Sequence, residues 1–206
     1  MKLGIFGGTF NPIHYGHLIG AEEVREYFQL DKIIFVPSGV HPLKKSDIID
    51  ASHRFKMTEL ALKENPYFEI SDYEIGQKEP SYTVNTLKFF KELYPRYTLF
   101  FIIGVDSFYE IKQWHKPDEL IRIIDFIVMS RPGYRSLEYS DLINGKEAEN
   151  IFKLKNSDKK AYYIEIFPVS ISSSFLRERI RKNKSIRYFL PEEVRMYIQQ
   201  NRLYKE

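Results

Sequence analysis

A chain of 206 residues, with a formal charge of +3 and no cysteine, is long enough for one well-buried α/β domain over 1–206 and short for two, and it excludes disulfides, a thiolate nucleophile and Cys-ligated zinc. Lys and Arg are interspersed with Asp and Glu, which favours small anionic ligands over a dedicated nucleic-acid surface. No apolar run approaches membrane-span length and the N-terminus enters a core strand without a signal-peptide pattern, so a soluble, cytoplasmic protein with no membrane partner is expected.

The first strand is read at Lys2–Phe6, and Gly7-Gly8 is expected to end it in a tight turn whose backbone, lacking Cβ atoms, can approach a ligand. From His14 onward the pattern is helical: Leu18, Ile19, Ala21, Val24 and Phe28 recur near a 3.6 period. Strand, glycine turn and helix start together form an anion site, which makes Gly7-Gly8-Thr9-Phe10 a candidate phosphate cradle. His14 and His17, three residues apart, can project from one face of the first helical turn. Two imidazoles aimed at such a helix end suggest stabilisation of charge on phosphorus. Surface histidines and half of a metal site are the alternatives. The metal reading is the weaker one, since only His41, His53 and His115 remain as nitrogen ligands, and no metal ligand is assigned.

Lys32–Val36, closed by Pro37, reads as a second strand, parallel to the first through a right-handed crossover. Residues 38–46 form a loop at that strand's carboxyl end, where ligands bind in open α/β sheets. Lys44 or Lys45 could reach a phosphate there, or be solvated. Ser52 is expected to cap a helix carrying Phe55, Met57, Leu60, Ala61 and Leu62, and a third strand follows at Phe68–Ser71. Thr83 is expected to cap the next helix, which carries Val84, Leu87, Phe90 and Leu93. Tyr97–Ile103 is the most hydrophobic run and should be a central strand buried on both faces. It leads into Gly104-Val105-Asp106, where Asp106 could bond ribose hydroxyls or cap the next helix.

Trp114 lies in a polar loop and is a candidate for ring stacking, with core packing as the alternative. A short helix at 118–124 and a strand at 126–130 precede Arg131-Pro132-Gly133. Residues 134–160 read as a peripheral excursion with at most one helix, and Tyr162–Phe167 as the last strand. Ser172-Ser173-Ser174 then opens a helix with Arg177 one turn inside. One serine caps it, the others offer hydroxyl and N–H groups to phosphate, and a guanidinium on the same face matches phosphate with a fork of donors. Pro191 starts a final helix that docks through Val194, Tyr197 and Ile198. The fold class expected is α/β: a Rossmann-like doubly wound, mainly parallel sheet with helices on both faces.

Several of these segments match known motifs. Gly7 to His17 resembles the GGTF-D-P-x-H-x-GH signature of the nucleotidyltransferase superfamily, with Asn11 where the pattern has Asp. Asn keeps a turn-forming side chain and loses a negative charge. Ile171-Ser172-Ser173-Ser174-Phe175-Leu176-Arg177 is similar to the I-S-S-T-x-I-R motif of the same superfamily, with Ser174 for Thr and Leu176 for Ile. Between them Pro37 through Lys44, Pro80-Ser81-Tyr82-Thr83 with Thr86-Leu87, Ile103-Gly104-x-Asp106, Trp114 with Glu119-Leu120, and Arg131-Pro132-Gly133 extend the likeness to the bacterial nicotinate-mononucleotide adenylyltransferases. Leu43 and Asn85 depart from the usual His and Asp.

This resemblance implies transfer of AMP from ATP to nicotinate mononucleotide, giving deamido-NAD and pyrophosphate, with Mg2+ on the ATP phosphates. It implies His14, His17 and Arg177 as catalytic residues. ATP would be bound by Gly7, Gly8, Thr9, Phe10, Gly104, Asp106, Arg131, Ser172 and Ser173. Nicotinate mononucleotide would be bound by Lys44, Tyr82, Thr83 and Trp114. The nucleophile would be a phosphate oxygen, so the reaction needs charge neutralisation and in-line positioning rather than a general base. Nicotinamide mononucleotide and phosphopantetheine are rival acceptors. A nucleotide-sensing module without catalysis is the rival from another class, and the intact His-x-Gly-His and Arg177 speak against it. The partners expected are ATP and nicotinate mononucleotide, with no nucleic acid, and a homo-oligomer is left open.

Overall fold

Continuous apolar runs bounded by glycine or proline become strands because both of their faces can be buried. The strongest of them, Thr98–Gly104, has its five middle residues buried. In the computed structural model, which describes residues 1–40, 47–77, 79–130 and 136–205, this strand is β4. The strands before it are β1 (Lys2–Gly8), β2 (Lys32–Pro37) and β3 (Phe68–Ile70). Those after it are β5 (Asp125–Ser130), β6 (Ile143–Ala148), β7 (Ile151–Leu154) and β8 (Lys160–Glu165). Among the described residues they form one sheet in the order β3-β2-β1-β4-β5-β8-β7-β6. Every pairing from β3 to β8 is parallel, and the β8–β7 and β7–β6 pairings are antiparallel.

The seven α-helices are α1 (Tyr15–Phe28), α2 (Ala51–Leu62), α3 (Thr83–Leu93), α4 (Val105–Glu110), α5 (Pro117–Ile123), α6 (Ser173–Arg181) and α7 (Glu192–Gln200), counted over the described residues. Alternation along the strands divides the interior into two cores. Ile5, Val36, Phe101 and Val128 pack with Leu87, Phe108 and Leu120 of α3, α4 and α5. Phe6, Phe35, Ile102 and Ile127 pack with Val24, Met57, Leu176 and Val194 of α1, α2, α6 and α7. Helices therefore cover both faces, as the doubly wound class requires.

Strand order reverses at β1: β2 lies on one side of it and β4 on the other. The crevice beyond the carboxyl ends of β1 and β4 is thus the switch point at which ligands bind in open α/β sheets.

Four local expectations shift. β1 continues through Gly7 and Gly8, which pair with Val36 and Pro37, so the turn comes later, at Asn11-Pro12. Phe10, at a φ of 46°, folds back onto Gly8, where a Cβ would stand 2.8 Å from the Phe10 ring. The missing Cβ makes room for that ring. Asp50 rather than Ser52 caps α2, because its side chain stands before the helix and accepts the Ser52 N–H at 2.8 Å. Tyr82 rather than Thr83 occupies the N-cap of α3, and it makes no side-chain cap bond. Finally, 136–160 holds a 3-10 turn at Leu137–Tyr139 and the β6–β7 hairpin. β6 buries only Ile143, so its sequence lacks the alternation that marks a half-buried strand.

Candidate functional site

The first helix begins at the carboxyl edge of β1, with His14 as its N-cap and His17 three residues inside. Their rings stack at a centroid distance of 3.8 Å and an interplanar angle of 24°. Nδ1 of His17 accepts the backbone N–H of His14 at 3.3 Å. The proton of a neutral His17 ring therefore sits on Nε2, as a donor. His17 is half-buried, its ring set edge-to-face against Phe10 at 5.2 Å, whereas His14 is 4% exposed.

The start of α6 is bonded onto this same turn. Ser172 caps the helix by accepting the Phe175 N–H at 3.2 Å, and the Ser173 hydroxyl donates to the Pro12 carbonyl at 2.8 Å. Arg177 donates from Nη1 to the Asn11 carbonyl at 2.9 Å. The two helix starts, 166 residues apart between Asn11 and Arg177, are therefore one structural unit. Two serine hydroxyls are committed within it, which leaves the first-turn N–H groups of α6 as the donors such a helix end presents to an anion. Arg177 keeps donors in reserve: its buried Nε has no partner among the described residues, and the Asp47 carboxylate lies 3.9 Å from Nη2.

Of the other predicted residues, those that are described are placed as follows. Gly7, Gly8 and Thr9 are half-buried, while the Phe10 side chain belongs to the core, so only its backbone can face a ligand. Gly104 is the N-cap of α4, with no atom within 4 Å of where a Cβ would stand, and Asp106 is exposed in that helix's first turn. Tyr82 stacks on His115 at 4.1 Å, and Trp114 packs half-buried against Phe101, which brings the segments around 82 and 114 together. Thr83 opens α3 beside them. Lys44 and Arg131 lie outside the described residues, as does His41.

Three buried polar groups that support this edge went unread in the sequence. Arg54 of α2 is 1% exposed and donates to the carbonyls of Thr9 (2.9 Å), Gly39 (3.0 Å) and Ile49 (3.1 Å) and to the Ser38 hydroxyl (3.3 Å). Burial pushes its guanidinium below the usual arginine range. Glu74 is buried and accepts the Thr86 hydroxyl at 2.5 Å, and burial raises its pKa. Gly39 donates its N–H to the Ser81 hydroxyl at 3.0 Å, and a Cβ there would lie 2.0 Å from the Glu74 carbonyl oxygen, so only glycine fits. The third, Tyr204, donates to Asn11 Oδ1 at 2.9 Å. A readable signal existed for Arg54: it shares its helix stripe with Met57 and Leu62, where an arginine has to be explained.

A family model described as Cytidylyltransferase-like matches residues 5–179. A Thermoanaerobacter protein named probable nicotinate-nucleotide adenylyltransferase is 43% identical over 208 residues, spanning 100% of this chain and 95% of its relative. A relative of the same name from Caldicellulosiruptor saccharolyticus is 42% identical over 206 residues, spanning 100% of both. The chain belongs to the nicotinate-nucleotide adenylyltransferase family.

The solved structure of Plasmodium falciparum nicotinic acid mononucleotide adenylyltransferase complexed with NaAD superposes with a TM-score of 0.79 at 25% identity, covering 98% of this chain and 97% of that one. A second structure of that enzyme, complexed with APC, gives a TM-score of 0.76 at the same identity. In this chain the exchange of Asp for Asn at position 11 has a structural counterpart. Asn11 Nδ2 donates to the Asp47 carbonyl at 2.8 Å, a bond that a carboxylate could not make. Asn85, the other described departure from the family pattern, is exposed on α3. No helix among the described residues is long and apolar enough to cross a membrane.

Proposed function

We propose that the chain acts as one domain that transfers the AMP moiety of ATP to nicotinate mononucleotide in NAD biosynthesis, in the cytoplasm. The products are nicotinate adenine dinucleotide and pyrophosphate. The observation that carries the site assignment is the bonding of α6 onto the α1 turn, through Arg177 to the Asn11 carbonyl and Ser173 to the Pro12 carbonyl. Two helix N-termini then share one triphosphate.

A phosphate oxygen of the acceptor, already anionic, forms the new bond to the α-phosphorus. The bond from that phosphorus to the bridging oxygen breaks, and pyrophosphate leaves with the electron pair. No proton has to be removed. The Nε2–H of His17, the Arg177 guanidinium and the N–H groups of the two helix starts neutralise charge on the equatorial and leaving oxygens. His14 orients His17 by stacking and through its N–H. Gly104 and Asp106, with Arg131, take the adenosine; Tyr82, Thr83 and Trp114, with Lys44, take the pyridine nucleotide. A magnesium ion carried by the triphosphate would add to the neutralisation of the departing pyrophosphate. Among the described residues no group of three His, Asp or Glu side chains gathers as a metal site.

Pyrophosphate release measured over a panel of acceptors tests this function. Nicotinate mononucleotide is expected to give a kcat/KM about tenfold or more above nicotinamide mononucleotide, and phosphopantetheine no turnover. Equal or better turnover of phosphopantetheine would overturn the assignment.

A further inference from the structure

We propose that Tyr204 is a positioning residue for adenylyl transfer, acting through Asn11 on Arg177. The inference rests on the function given above and adds to it a residue outside every motif that points to it. Tyr204 lies in the turn after α7, at a φ of 64°, and is 9% exposed. Its hydroxyl crosses 193 residues of sequence to donate to Asn11 Oδ1 at 2.9 Å. Burial raises the phenol above its ordinary pKa, with Arg177 and Arg54 as its nearby charges, so it remains a donor at any working pH.

Asn11 is held at both ends of its carboxamide. Oδ1 accepts from Tyr204, and Nδ2 donates to the Asp47 carbonyl at 2.8 Å. The residue is 4% exposed, so neither end has water as a ready substitute. Its own backbone carbonyl accepts the Arg177 Nη1 bond at 2.9 Å. That bond matters because a competitor stands close by. The Asp47 carboxylate lies 3.9 Å from Arg177 Nη2 and pairs with Arg181 at 3.2 Å. An Arg177 released from the Asn11 carbonyl would collapse onto Asp47, and its charge would be lost to the triphosphate. The Tyr204 hydroxyl fixes the plane of the Asn11 side chain, and with it the carbonyl that anchors the Nη1 arm of Arg177 and holds its Nη2 no nearer than 3.9 Å to the Asp47 carboxylate.

The test is a double-mutant cycle on kcat, read by pyrophosphate release from ATP and nicotinate mononucleotide. Tyr204→Phe, which removes one oxygen atom, is expected to lower kcat about tenfold while the KM for ATP stays within about twofold. In an Arg177→Ala background the same change is expected to cost nothing further, because the group it positions is gone. Multiplicative losses in an active protein would overturn the role, as would an unchanged kcat for Tyr204→Phe. If Tyr204→Phe does not fold, Asn11→Ala, which removes the acceptor of the same bond, takes its place in the cycle, with the same non-additivity expected and multiplicative losses again contradicting it. A wild-type chain that releases no pyrophosphate with nicotinate mononucleotide would instead refute the function itself, and this role with it.

Discussion

Replacing His17 with alanine is expected to lower turnover by about two orders of magnitude or more while ATP binding stays within a few-fold. The asymmetry follows from where the ring can act. Its Nδ1 is occupied by the His14 N–H, and stacking on His14 with edge contact to Phe10 fixes its plane. Nε2–H is then a preorganised donor, worth most where charge develops in the transition state. On the proposed site, ground-state ATP is held by many other groups, above all the N–H groups of two helix starts. Alanine also removes a cap bond at the start of α1, which costs about 1 kcal/mol of stability. Steady-state kinetics beside equilibrium ATP binding, both well below the melting temperature, separate the two effects. Unchanged turnover would remove His17 from the chemistry.

The second large effect is on the frame rather than the chemistry. Arg54→Met is expected to destabilise the protein by about 3–5 kcal/mol, because it deletes a buried cation and strands the acceptors it served. For a chain of this size that corresponds to a fall in melting temperature of about 10 °C or more. Those acceptors are the carbonyls of Thr9, Gly39 and Ile49, together with the Ser38 hydroxyl. They lie just past the carboxyl ends of β1 and β2 and on the approach to α2, so activity should fail below the melting transition as these segments loosen. Arg54→Lys keeps the charge but lacks the planar fork that reaches several acceptors at once, and it should fall between the two. Calorimetry that finds Arg54→Met within about 1 °C of wild type would contradict this account of the loop edge.

The parallel sheet was legible because burial on both faces leaves an unbroken apolar run, as in Leu99–Ile103, and because Pro and Gly punctuate its ends. The two helix starts of the candidate site were legible because each is announced locally, by a strand end, capping residues and cations within one turn. Features that depend on distant partners were not legible. Tyr204 looks like any aromatic residue near a chain end until its hydroxyl is seen on Asn11. Glu74 looks like a surface charge until it is seen buried on Thr86, and Arg54 shows only its place on the apolar stripe of α2, not the acceptors it serves. The β6–β7 hairpin was missed because an exposed edge strand has no apolar face to announce it. The Gly7-Gly8 pair was misplaced for a local reason: two glycines suggest a turn, yet here pairing with Val36 and Pro37 holds them in the strand, and the second accommodates the Phe10 ring.

The most direct test is a crystal structure of the protein with a non-hydrolysable ATP analogue. The triphosphate should lie between the first turns of α1 and α6, with α-phosphate oxygens within hydrogen-bond reach of both His17 Nε2 and the Arg177 guanidinium. A triphosphate bound elsewhere, such as the groove lined by Glu23, Tyr27 and Glu165, or one that meets only one of these two side chains, would contradict it.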